Sequence, residues 1–190
     1  EAAVCFTSAY SANASAVQTL LSKDDIVISD QLNHASVIDA VRVAGVKNKF
    51  VYAHSDMSDL EKKLIAANEL QKTPKPNGEH PLIMILTDGV FSMDGDLAPL
   101  PKIVELAKKH DALTLVDDAH GEGVLGKGGR GVVNHFGLDG EVDIEIGSLS
   151  KAFSVMGGFI AAKQPLIDLY MMSARQRLMS IALTVPDTAA

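Results

Sequence analysis

The chain has 190 residues, enough for one domain with a buried core. With 47% hydrophobic residues and a mean hydropathy of +0.15, it is globular rather than disordered. A net charge of −7, no Trp and 5% aromatic residues argue against nucleic-acid binding, and no apolar run approaches the roughly 20 residues of a membrane span.

The chain opens at Glu1 without Met and closes at Thr188-Ala189-Ala190 without a capping signal, so residues 1–190 are expected to be a piece of a longer protein. Its single Cys5 excludes an internal disulfide and fits a reducing, cytoplasmic compartment. After the apolar Val4-Cys5-Phe6, the small residues Thr7 to Asn13 form a loop that enters a helix carrying Ala16, Val17, Leu20 and Leu21. Free backbone N–H groups at such a helix start favour an anion. Ile26-Val27-Ile28-Ser29 is a short strand. The helix after it starts around Asn33-His34-Ala35-Ser36 and turns Val37, Ile38, Val41 and Val43 inward. His34 thus lies just past a strand's C-terminal end, where open α/β sheets hold ligands.

Lys49 to Ala53 is another strand, and Ser58 with Glu61 forms a capping box that opens a helix to about Leu70. Gln71 to His80, with two prolines and one glycine, is a surface loop. The strand Leu82–Leu86 runs into an acidic, glycine-containing segment from Thr87 to Asp96. A helix over Pro99–His110 leads to the strand Ala112–Val116, which ends in Asp117-Asp118-Ala119-His120. Consecutive strand residues point to opposite faces, so Asp117 and Asp118 divide, and Asp118 takes the structural role. Gly126 to Gly131 is a flexible loop that lacks the Ser or Thr a P-loop requires after its lysine, and Glu122, Lys127 and Arg130 are solvated. Finally, the strand Asp143–Ile146 and the apolar Val155–Ala162 flank a small-residue loop with one lysine, Lys151. Apolar surroundings there would turn the amine into a nucleophile able to form Schiff bases.

Strands therefore alternate with helices, which predicts an α/β fold: a mostly parallel central sheet with helices on both faces. Four strand-end clusters would converge at one edge: His34, Asp88 with Ser92, Asp117 with His120, and Ser148 with Lys151. Pyridoxal phosphate (PLP) needs such a set: a lysine for an imine, a carboxylate against the pyridine nitrogen, a ring to stack, and donors for the phosphate. A metal-dependent hydrolase using Asp117, Asp118 and His120 is a rival, although His54, His80, His110 and His135 give no metal spacing. A non-catalytic α/β binding domain is another.

The segments Asn33-His34-Ala35-Ser36, Asp88 to Gly95, Val116 to Gly121, and Ser148-Leu149-Ser150-Lys151-Ala152 resemble the α-oxoamine synthases, fold-type I PLP enzymes, over nearly the whole chain. The resemblance implies an aspartate-aminotransferase-like large domain. It assigns Lys151 to the imine, Asp117 to the pyridinium nitrogen, and His120 and Ser92 to the phenolic oxygen. His34 would stack on the ring. The Ala9 and Tyr10 amides and the Ser148 hydroxyl would hold the phosphate, and Asp88 would support the site from its strand end. It also implies a homodimer, and an N-terminal segment and a C-terminal small domain outside residues 1–190. The implied reaction joins a small amino acid, glycine favoured, to an acyl-CoA. 8-Amino-7-oxononanoate synthesis from alanine and a pimeloyl thioester is the alternative.

Overall fold

The computed structural model describes residues 2–190. The strands are β1 (Ala2–Phe6), β2 (Ile26–Asp30), β3 (Asn48–Tyr52), β4 (Ile83–Asp88), β5 (Leu113–Asp117), β6 (Ile144–Ser148) and β7 (Gly158–Ala162). They form one sheet in the order β1-β7-β6-β5-β4-β2-β3. Neighbours from β6 through β3 run parallel, while β7 is antiparallel to both β6 and β1. The sheet is thus mostly parallel, as its sequence pattern predicts.

Helices cover both faces. Val27, Met84, Leu86 and Leu115 share one core with α1 (Ala9–Leu20), α2 (Ala35–Ala44) and α6 (Gln164–Ser173). Ile26, Ile28, Ile83 and Ile85 turn to the other face, against α3 (Met57–Gln71) and α4 (Leu100–Lys109). Burial on both sides explains why these strands read as continuous apolar runs rather than alternating ones. A third cluster, with Val116, Val132 and Val133, packs under α5 (Gly131–His135). Two short helices, α7 (Arg175–Leu178) and α8 (Val185–Ala189), close the chain.

Three local expectations are corrected. Helix α3 is capped by Asp56, whose carboxylate accepts from the Ser58 and Asp59 amides; Ser58 already lies inside the helix. A carboxylate that takes two N–H groups outcompetes a hydroxyl that takes one. Of the α2 positions expected to face the core, Val37 and Val41 do so, together with Ala40. Ile38 and Val43 are exposed, because the helix lies near β3 at the sheet's edge and its apolar stripe is wider than the surface available to it. The segment from Gly126 to Gly131 is not a loose loop: Glu122 and Arg130 pair across it, and Gly131 sits against Asp118.

Asp118 is fully buried and takes the Val132 amide at 2.6 Å. A Cβ on Gly89 would stand 2.7 Å from its Oδ1, and a Cβ on Gly121 would run into the same oxygen. Gly121→Ala is therefore expected to cost about 1–3 kcal/mol of stability through overpacking. Denaturant unfolding of the two proteins checks this, and equal midpoints would show that the carboxylate yields freely.

Candidate active site

The C-terminal strand ends gather the chemistry in one small cleft, lined by Ala9, Tyr10, His34, Ser36, Asp88, Asp117, Ala119, His120 and Lys151. Seven of the nine residues anticipated from sequence line it. The other two do not. Ser92 sits exposed in the turn after Phe91, whose own ring is buried against His54 and so turns its neighbour to solvent. Ser148 is buried at the end of β6 and shares a hydrogen bond with Ser150 at 2.9 Å. Register nevertheless places Ser148, Gly158 and Phe6 side by side across three strands. A Cβ on Gly158 would meet the Ala9 backbone, so the bare glycine lets the start of α1 approach this corner. Ser8 caps α1 by accepting from Ser11, and the other amides of the first turn are left available to an anion.

His34 is the N-cap of α2: its Nδ1 accepts from the Ser36 amide at 3.2 Å and lies 2.7 Å from the Ser36 hydroxyl. Asn33 fixes the loop, donating to the Leu86 carbonyl and accepting from the Asp88 amide, each at 2.8 Å. Asp88 in turn accepts the His34 amide at 3.2 Å. Its carboxyl is pushed up to about 7, first by burial and then by the Asp117 charge in the neighbouring strand.

Asp117 accepts from Asn13 at 2.6 Å and from the Ala119 amide at 3.1 Å. Burial, followed by the Lys151 charge, lowers the pKa of His120, so its imidazole is neutral at neutral pH. Lys151 is exposed, which corrects the expectation of apolar surroundings. What brings it to the cleft is its place in the turn after β6. Sequence reasoning missed Asn13, Ser36 and Ala119. Asn13 follows Ala9 by four residues, on the same helix face, and that spacing was the available signal.

The described residues hold no group of three His, Cys, Asp or Glu side chains able to bind a metal ion, and no helix among them is long and apolar enough to cross a membrane.

A family model, aminotransferase class I and II, matches residues 1–189. The chain belongs to this family. It is 53% identical over its whole length to 8-amino-7-oxononanoate synthase of Fervidobacterium nodosum and 50% identical to 8-amino-7-oxononanoate synthase 1 of Bacillus subtilis, covering 46% of each. It thus spans about half the length of the curated relatives it matches. A serine palmitoyltransferase variant from S. paucimobilis with a bound PLP–myriocin aldimine superposes with a TM-score of 0.84 at 34% identity, over 96% of this chain and 44% of that one. The 8-amino-7-oxononanoate synthase of Francisella tularensis gives a TM-score of 0.73 at 29% identity, over 91% and 46%. These relatives are α-oxoamine synthases, in agreement with the sequence motifs.

Asp118 gives a pH-dependent test. Burial first of all pushes its carboxyl up to about 7, with the Val132 amide pulling the other way. A raised carboxyl favours its protonated form in the fold, so its contribution is fully present below about pH 4 and is lost as the pH rises through about 7. Asp118→Asn does not titrate. Between pH 5 and 8 the parent should therefore lose stability relative to the variant. Guanidinium unfolding at both pH values reads this, and parallel pH dependences would place the titration elsewhere.

Proposed function

We propose that this chain is the PLP-binding large domain of a longer C-acyltransferase that condenses a small amino acid with an acyl thioester. The observation that carries this reading is the convergence of Lys151, Asp117, His120, His34 and Asp88 in one cleft beside the start of α1. The donor set fits PLP in kind: a reachable primary amine, a buried carboxylate, two imidazoles and a helix N-terminus for an anion. Lys151 would hold the cofactor covalently through Nζ. Asp117 would take the ring nitrogen, His34 the ring face, and His120 with Ser92 the phenolic oxygen. The Ala9 and Tyr10 amides with the Ser148 hydroxyl would take the phosphate, and Asp88 would support the strand end.

Bound PLP supplies a carbonyl-type electrophile and a sink for the electrons of a carbanion. The chain supplies positioning and proton transfer. Asp117 sits at the end of β5 with its two oxygens already held by N–H donors, so its charge would meet a ring N–H with little reorganisation. Lys151 Nζ would serve as the general base for the α-proton, and its exposed place in a turn leaves it room to reach the substrate. The neutral His120 imidazole can donate to or accept from an oxygen beside it. A homodimer and a cytoplasmic setting complete the proposal, the latter in keeping with a single unpaired cysteine.

Glycine was the substrate favoured by the sequence motifs. The 50–53% identity to enzymes named 8-amino-7-oxononanoate synthase favours the alternative, alanine with a pimeloyl thioester. Product analysis of the full-length protein, given alanine or glycine with a pimeloyl thioester, separates the two. An amino ketone formed only from glycine and a shorter acyl group would overturn the second.

Two substitutions test the site. Lys151→Ala should abolish the visible band seen on adding PLP while leaving the melting temperature unchanged, because an exposed turn lysine adds little packing. An unchanged band would remove Lys151 from its role. Asp117→Asn keeps the shape but removes the charge. A hydrogen bond to a charged group contributes roughly 1.5–3 kcal/mol against about 1 for a neutral one, and the loss should fall mainly on the step that stabilises the carbanion. Hydrogen–deuterium exchange at the amino acid α-carbon, followed by NMR, should fall at least about tenfold. Exchange at the parent rate would mean that Asp117 does not face the ring nitrogen.

A further inference from the structure

We infer that Asn13 is a positioning residue that joins Asp117 and His34 into one hydrogen-bonded unit through the hydroxyl of Ser36. The inference rests on the PLP reading above. Asn13 lies in the second turn of α1 and is 1% exposed. Its Nδ2 donates to Asp117 Oδ2 at 2.6 Å and to Ser36 Oγ at 3.0 Å, so both amide protons are committed. Its Oδ1 is buried without a partner among the described residues. A flipped amide would aim that oxygen at the Asp117 carboxylate, acceptor against acceptor. The orphaned Oδ1 therefore shows that the orientation is set by the need to donate to Asp117 rather than by satisfying the asparagine itself.

The chain continues with a fixed direction. Ser36 Oγ accepts from Asn13, which leaves its own proton for His34 Nδ1 at 2.7 Å. The Ser36 backbone N–H, a donor only, also points at Nδ1, at 3.2 Å. Two donors face Nδ1, so the neutral His34 ring carries its proton on Nε2. One amide thus orients the carboxylate and, one residue on, selects the tautomer of the imidazole that lines the same cleft. Ala119 N–H holds the other Asp117 oxygen, leaving the remaining lone pairs to a ligand.

The test compares Asn13→Leu and Asn13→Asp in the full-length protein, with PLP affinity read from its visible absorbance between pH 5 and 8. Asn13→Leu removes both donors and should weaken binding about tenfold at every pH. Asn13→Asp keeps the size but sets a carboxylate against Asp117. It should bind more weakly than Asn13→Leu at pH 8 and recover toward the parent at pH 5, as one proton comes to be shared between the two groups. Asp88, His34, His120 and Lys151 also line the cleft and are common to all three proteins, so each variant is read as a ratio to the parent. A merely space-filling role predicts the reverse order, with the branched apolar substitution worse and no pH dependence of either ratio. That pattern, or parent-like affinity in both variants, overturns the proposal. Failure of the parent itself to bind PLP would instead refute the cofactor reading. If either variant does not fold, the parent without PLP still decides the matter. Long-range ¹H–¹⁵N correlation should show the His34 proton on Nε2, and a proton on Nδ1 would overturn the relay.

Discussion

The site depends on a strand end that carries two buried carboxylates in succession. Alternation along β5 sends Asp117 to the face packed by α1 and α2 and Asp118 to the face under α5. A buried carboxylate is costly unless hydrogen bonds compensate or it takes up a proton. The two residues meet that cost differently. Asp117 receives N–H groups on both oxygens, from Asn13 and Ala119. Asp118 receives the Val132 amide and has its carboxyl pushed up to about 7. The glycines around Asp118 leave it room: Gly89, Gly121 and Gly131 come so close that no side chain fits between. Gly131 also has φ +85°, a conformation glycine reaches without strain. Asp118 thus organises the loops beside Asp117.

Much of this was legible because apolar runs between polar clusters mark parallel strands, and parallel strands deliver their C-terminal ends to one edge. Asp88 and Asp117 illustrate the point: each follows an apolar run in the sequence, and in the sheet they are direct register partners. Residues that act through contacts across the fold were not legible. Asn13 lies among alanines and serines that read as a loop, yet it begins the second turn of a helix whose face bears on β5. Ser36 was visible in its motif but not its use, since its partner Asn13 is 23 residues away in the chain. The capping residue of α3 was misplaced because a Ser-to-Glu spacing and an aspartate two residues earlier give competing signals, and only the backbone decides between them. Ile38 and Val43 were drawn inward by a periodicity that reports a helix's apolar face but not how much sheet lies under it.

His54 was one of the histidines that sequence alone left without a role. In the fold its Nδ1 meets Asp30 at 2.9 Å and its Nε2 meets Asp96 at 2.8 Å, joining the end of β2 to the loops that follow β3 and β4. Burial opposes its protonation, but the two carboxylates outweigh it and its pKa is raised. Asp30 also accepts the amides of Leu32 and Ser55. The loop that ends in His34 is therefore tied at both ends: by Asp30 at its start, and by Asn33 and Asp88 at its close.

These ties account for the division of the cleft between floor and rim. Asp88 and Asp117 lie at the floor, 6% and 5% exposed, at the ends of the interior strands β4 and β5. Tyr10, His34 and Lys151 stand exposed at the rim, on a helix start, a cap and a turn. Electrostatic stabilisation is strongest where water is excluded and the dipoles are fixed, while exchange of covalent partners needs a side chain free to swing. The carboxylate that would compensate a developing charge is thus placed where it is effective, and the amine that would change partners where it is exposed. Interchanging the two would bury an uncompensated lysine among apolar strands and leave the carboxylate screened by solvent, weakening both functions.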